Sequence, residues 1–140
     1  MDALRTYLGQ YPGLRGGVLH MDCLPLEART YSLSVLPCNP LLRTYMDGGQ
    51  RRQTRCLLES RRFFGESLAD QQENLRFFGE FDAWLRRKNQ QGDLPELGET
   101  RVCLKLCMIS CGYAMDADQA GYGRYQAEIL MEYFEAPITI

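Results

Sequence analysis

The chain has 140 residues, 45% of them hydrophobic and 24% charged, with a formal net charge of -2. That is enough for one core without disulfide staples and too little for two ordinary domains, so residues 1–140 are expected to form a single domain. A slightly acidic chain is no general electrostatic binder of nucleic acid. No apolar run nears the roughly 18 residues of a membrane helix, so neither a sequence-specific nucleic-acid partner nor a membrane partner is expected.

In chain order, Asp2 to Gln10 reads as a short helix. Asp2 caps it, Leu4 and Leu8 lie one turn apart, and Pro12-Gly13 stops it. Gly16-Gly17 then turns the chain into a strand, Val18 to Cys23. Tyr31, Leu33 and Val35 alternate with Thr30, Ser32 and Ser34, the pattern of a half-buried strand, which Pro37 and Pro40 end. Leu41–Met46 and Gln50–Ser60 flank Asp47-Gly48-Gly49, residues that tolerate positive φ, so a hairpin is predicted. In its second arm Thr54, Cys56 and Leu58 share one face, and Arg51, Gln53 and Arg55 the other.

Ser67 is the expected N-cap of a long amphipathic helix reaching about Gln91. Leu68, Leu75, Phe78, Phe81, Trp84 and Leu85 recur at helical spacings, Phe77 widens the stripe, and Gly92 terminates it. Arg101–Tyr113 is apolar on both faces, with Val102, Leu104, Leu106 and Met108 against Cys103, Cys107 and Ile109, which reads as a central strand. Asp116–Gly123 is a polar connection. The last strand, Gly123–Phe134, sets Tyr125, Ala127, Ile129, Met131 and Tyr133 against Arg124, Gln126, Glu128 and Glu132. The expected fold class is α+β: a mainly antiparallel sheet covered by the long helix, plus the short N-terminal one.

Charge is unevenly placed. Met1–Arg62 holds nine Lys/Arg and five Asp/Glu, and Phe63–Ile140 seven and thirteen, net charges of +4 and -6. Such halves either pair one copy with the next or pair within the monomer, and the second is the commoner arrangement.

Catalytic signals are missing from the sequence. Cys103, Cys107 and Cys111 are spaced by four, roughly 13 Å along a strand, too far to share a metal ion. His20 is the single histidine. No nucleophile elbow, phosphate loop or paired-carboxylate motif is present, so no enzyme activity, catalytic residue, metal or cofactor is expected. Met1-Asp-Ala-Leu-Arg-Thr-Tyr lacks the basic and apolar segments of a secretory leader. The six cysteines are therefore expected to be free thiols in a reducing compartment. Arg51, Arg52, Arg55, Arg61 and Arg62 form a basic group on and after the hairpin. It suits either a solvated strand kept from aggregating or a partner surface, protein before nucleic acid. The Phe77, Phe78, Phe81 and Trp84 group suits the core first and an oligomer contact second.

Several stretches carry a family resemblance. They are Tyr45-Met-Asp-Gly48-Gly49, the basic strand Arg51-Arg-Gln-Thr-Arg55, Phe81-Asp-Ala-Trp84-Leu85 and Gly92-Asp-Leu-Pro95, then Ser110-Cys-Gly-Tyr113, Ala120 to Tyr125-Gln126 and Tyr133-Phe134-Glu135. In this order they resemble small proteins encoded between the head and tail genes of tailed phages and prophages of Gram-positive bacteria. Those proteins are called minor capsid proteins and are similar to tail-terminator or tail-completion proteins.

The resemblance implies a structural virion-assembly subunit, made in the host cytoplasm, that forms a homo-oligomeric ring, as a hexamer. The ring would cap the tail tube, so its partners would be further copies of itself, the tail tube protein and the head-tail connector protein. The partner surface would be the hairpin, with Tyr45, Asp47, Arg51, Arg52 and Arg55, and the loop with Asp116, Asp118 and Tyr122. The alternatives are a head-tail connector or neck component and, in another class, a small thiol- or metal-dependent enzyme or binding domain using Cys103, Cys107 and Cys111.

Overall fold

The computed structural model describes residues 2–12, 19–21, 30–63, 68–115 and 122–138. In chain order these form α1 (Asp2–Leu8), β1 (Leu19–Met21), β2 (Thr30–Leu36), β3 (Leu41–Thr44), β4 (Gln50–Phe63), α2 (Leu68–Gln91), β5 (Arg101–Met115) and β6 (Tyr122–Glu135). The fold is α+β, with a mostly antiparallel sheet in the order β1-β2-β4-β6-β5. Only the β1–β2 pairing is parallel among the described strands. The Gly16-Gly17 turn, the Ser67 cap and residues 116–121 lie outside the described residues.

β2 and β3 are two halves of one interrupted arm, since both pair antiparallel with β4, at Arg55–Arg61 and at Gln50–Arg52. Pro37 and Pro40 cause the break, because a proline nitrogen has no proton for a ladder. β4 stitches the gap: the Gln53 N–H donates to the Pro40 carbonyl at 2.8 Å and its Nε2 to the Asn39 carbonyl at 2.7 Å. The first arm of the hairpin ends at Thr44, two residues before the expected Met46. There Tyr45 closes the turn, its carbonyl accepting from Gly48 at 3.0 Å and its N–H donating to Gly49 at 2.7 Å. Asp47 Oδ1 accepts the Gly49 N–H at 2.9 Å, and Gly48 takes the positive φ of 91° that the turn needs.

α1 stops at Leu8 rather than Gln10. Its end tightens into three-residue turns, with Gln10 N–H donating to Tyr7 and Tyr11 N–H to Leu8, both at 3.1 Å. α2 ends at a Schellman motif. Gly92 (φ 71°) donates to the Asn89 carbonyl and Asp93 to the Lys88 carbonyl, while Lys88 Nζ meets Asp93 Oδ2 at 2.8 Å.

The core lies on one face of the sheet. Register rows such as Leu33–Leu58–Ala127 and Cys56–Ile129–Met108 point toward both helices. They are met by Leu4, Tyr7 and Leu8 of α1, by Tyr11, and by Phe77, Phe78, Phe81, Trp84 and Leu85 of α2. From Arg76 onward, α2 buries those five residues and exposes Arg76, Glu80, Arg86 and Arg87. Leu68 and Leu75 are outside the described side chains. Tyr11 packs edge-on against Phe77 and Phe81 at 5.5 and 5.0 Å, and its hydroxyl donates to the Phe77 carbonyl at 2.9 Å. The phenylalanine and tryptophan group is thus core, as its first reading had it.

Two expectations for β5 fail. It is an edge strand, not a central one, and its register slips twice, between Cys103 and Lys105 and between Met108 and Ser110. Each slip inserts one extra residue, Leu104 and Ile109, and reverses the parity of side chains. Cys103, Leu106 and Met108 therefore face the core together, while Val102 and Leu104 are 56% and 44% exposed. The apparent apolarity of both faces came from reading an unbroken period of two across two bulges.

Candidate functional site

The sheet face away from the helices carries polar and charged side chains. Alternation along β4 and β6 brings Arg51 Nη2 to Glu132 Oε2 at 2.6 Å and Arg55 Nη1 to Glu128 Oε1 at 3.4 Å. Ser110 Oγ donates to Glu128 at 3.3 Å and Gln126 Nε2 to Glu59 at 3.3 Å. Arg52 points to the other face, where it meets Gln50 at 2.7 Å and Glu135 at 3.6 Å. The basic hairpin arm and the acidic last strand thus neutralise each other inside the monomer, so these charges are not held in reserve for a neighbouring copy. Being partly exposed, these pairs are screened by solvent and contribute little to stability.

The expected partner residues separate into two regions. Tyr45 and Asp47 lie at the hairpin turn, with Arg51, Arg52 and Arg55 just beyond it on β4. Tyr45 packs against Phe134 at 6.1 Å and carries the Arg43 guanidinium 5.3 Å above its ring, while Asp47 is spent on shaping the turn. Asp116 and Asp118 lie outside the described residues. Tyr122 opens β6 opposite Phe63, at the far end of the sheet from the Arg51–Phe134 pair. Twelve residues of strand separate the two ends, roughly 40 Å, so the hairpin turn and Tyr122 do not lie in one patch.

What the sequence reading missed is apolar and exposed. Val35 (53%), Leu41 (39%), Leu42 (43%) and the fully exposed Met46 lie along the β2–β3 edge and its turn, beside the expected Tyr45. Val102, Leu104 and Ile109 (42%) lie on β5, the opposite edge. Their signal was present in the sequence, as paired Leu41-Leu42 in the hairpin arm and as the apolar run of β5, which read as a central strand.

Cys103, Cys107 and Cys111 do not converge. Cys103 is in register with Tyr133 and Cys107 with Leu130, residues of opposite parity, so the two point to opposite faces of β5. Cys111 returns to the first face, level with Ala127 where Cys103 is level with Tyr133, six residues of β6 or roughly 20 Å away. Among the described residues no group of three or more His, Cys, Asp or Glu is placed to hold a metal ion. Burial pushes the Cys56 thiol up to about 11 and raises Cys103 and Cys107 as well, the reverse of an activated nucleophile. An open hollow of about 300 Å³ lies beside the hairpin turn, lined by Asp47, Gln50, Glu135 and Pro137 among others. Its carboxylates are engaged, Asp47 by Gly49 and Glu135 by Arg52 and Arg101. No helix among the described residues is long and apolar enough to cross a membrane.

No model of a known protein family matches this chain, and no curated protein matches it.

Proposed function

We propose that the chain is a structural subunit of a tailed-phage or prophage virion that self-associates into a ring, as a hexamer, and caps the tail tube. In this reading it resembles a tail terminator. The ring assembles in the host cytoplasm, stops tube growth and presents a surface to the head-tail connector. A sheet covered on one face by the long amphipathic helix provides a rigid plate for it, and no catalysis is involved.

One observation carries the self-association. The large exposed apolar side chains of the described residues lie along two opposite sheet edges or at the hairpin turn, with Ile138 the exception. Contiguous exposed apolar surface marks an interaction site. Two different patches on opposite sides suit a head-to-tail contact, which closes into a ring when its rotation closes.

Size exclusion with light scattering, at low and moderate salt, tests this. A discrete oligomer near six copies supports the ring. It should survive moderate salt, because the charges pair within each monomer and the edges are apolar. A strict monomer at high concentration overturns the ring and moves the reading to a head-tail connector or neck component. Co-sedimentation with assembled tail tubes then separates the two roles.

A further inference from the structure

The register of the sheet fixes how its two free edges relate. Leu41 is level with Arg52, which is level with Tyr133, which is level with Cys103. Likewise Arg43 follows Arg51 and Phe134 to Val102, and Thr44 follows Gln50 and Glu135 to Arg101. β3 and the first residues of β5 therefore lie at the same height, on opposite sides of the sheet. They also run in opposite directions, since β3 and β6 are each antiparallel to β4 and β5 is antiparallel to β6.

Part of each edge is occupied. β1 covers β2 at Tyr31–Leu33. On β5 the Asn89 side chain holds both the amide and the carbonyl of Leu106. Among the described residues, β3 and the stretch Arg101–Lys105 have no strand partner on their outer sides, and they lie at one height. These segments carry exposed Leu41 and Leu42 on one side and Val102 and Leu104 on the other.

Resting on the ring reading, we infer that the junction between copies is an added strand pair: β3 of one copy docks antiparallel on Arg101–Lys105 of the next. A neighbour in the same orientation, displaced sideways, presents β3 in this register with no strand reversal. Antiparallel pairing is the more stable and commoner kind. In this register Leu41 stands opposite Cys103 and Arg43 opposite Val102, with Leu42 and Leu104 beside these pairs. Arg43, which has no carboxylate partner among the described residues, comes within reach of the neighbour's Glu99, likewise unpaired among them. Both edges are used once per copy, so the contact is head-to-tail.

The test uses two full-length variants in exposed side chains, Leu104→Lys and Leu42→Lys, because an edge lysine blocks strand addition. Circular dichroism first shows that both are folded; Val102→Lys and Leu41→Lys repeat the design one or two residues away if either is not. The expected result is that each variant alone is monomeric and that a mixture in equal amounts gives a dimer and nothing larger. The intact β3 of the first variant then meets the intact β5 of the second.

If Leu42→Lys alone stays oligomeric while Leu104→Lys does not, β5 pairs with itself and the junction is overturned. A wild-type oligomer that neither substitution changes also overturns the junction while leaving the ring intact. A monomeric wild-type protein overturns both.

Discussion

Asn89 of α2 holds Leu106 of β5 by its backbone. Asn89 Oδ1 accepts the Leu106 N–H at 3.0 Å and Nδ2 donates to the Leu106 carbonyl, while Nδ2 also donates to the Leu85 carbonyl at 2.7 Å. The side-chain amide stands where a neighbouring strand would place a peptide group. It satisfies an edge residue that otherwise faces water and ties the last turns of the helix to the sheet. Replacing Asn89 with Ala leaves this helix–strand contact unsatisfied and should cost about 1–3 kcal/mol. It also frees more of the β5 edge. We expect a melting temperature several degrees lower and stronger concentration-dependent association; a variant that melts and sediments like wild type would show the contact to be incidental.

Phe81 is 1% exposed and packs with Tyr11 and Trp84 where both helices meet the sheet. Phe81→Ala should cost about 3–5 kcal/mol, a large part of the stability of a domain this size. Urea unfolding measures it. A loss under 1 kcal/mol would mean that the helices are not seated on this residue.

Two glycines make opposite predictions. A Cβ on Gly49 would lie 2.9 Å from Cε2 and Cζ of Phe134, whose ring is already held by Tyr45. Gly49→Ala should therefore destabilise by about 1–3 kcal/mol. Gly79 sits exposed in α2 with nothing within 4 Å of such a Cβ. Gly79→Ala should stabilise by about 0.5–1 kcal/mol, by helix propensity alone. Thermal melts of the two variants should move in opposite directions.

Alkaline pH should weaken the fold. Burial raises the Cys56 thiol from 9.0 to about 11, and burial with the nearby Asp93 raises Tyr7 from 10.0 to about 12. The unfolded chain releases each proton earlier than the folded chain, so stability is full below pH 9 and falls as pH climbs to 11 and beyond. The slope is on the order of 1 kcal/mol per pH unit for each group between its two values. Urea midpoints from pH 8 to 11 should decline, and Cys56→Ala should flatten the first part of that decline. A midpoint unchanged across the range for wild type is the result that sinks the idea.

Thiol reactivity follows the same burial. Cys111 is exposed on β5, whereas Cys56 and Cys103 are in the core. Among the described cysteines, a thiol reagent at neutral pH should label Cys111 in the native protein and reach Cys56 and Cys103 only on unfolding. Peptide mapping after labelling reads this directly.

Much of the fold was legible because local chemistry leads directly to local structure. Asp47-Gly48-Gly49 demanded a turn, Gly92 a helix end, and the alternation of β6 a strand with one apolar side. The candidate interaction site was less legible. The arginines drew attention as a partner surface, yet the glutamates that pair Arg51 and Arg55 lie 81 and 73 residues away in sequence. Only the β4–β6 register brings them together.

By itself the sequence determined the class of the protein: its residue periods, turns and caps specify an α+β domain because each acts over a few neighbouring residues. The tertiary structure alone decided which strands became edges. The extra residues Leu104 and Ile109 could be seen only against β6, since a bulge is a mismatch between two strands and has no meaning in one. For the same reason the exposure of Val102, Leu104, Leu41 and Leu42 was hidden. An apolar side chain looks the same in a sequence whether its strand has two neighbours or one, and the sheet order decides which.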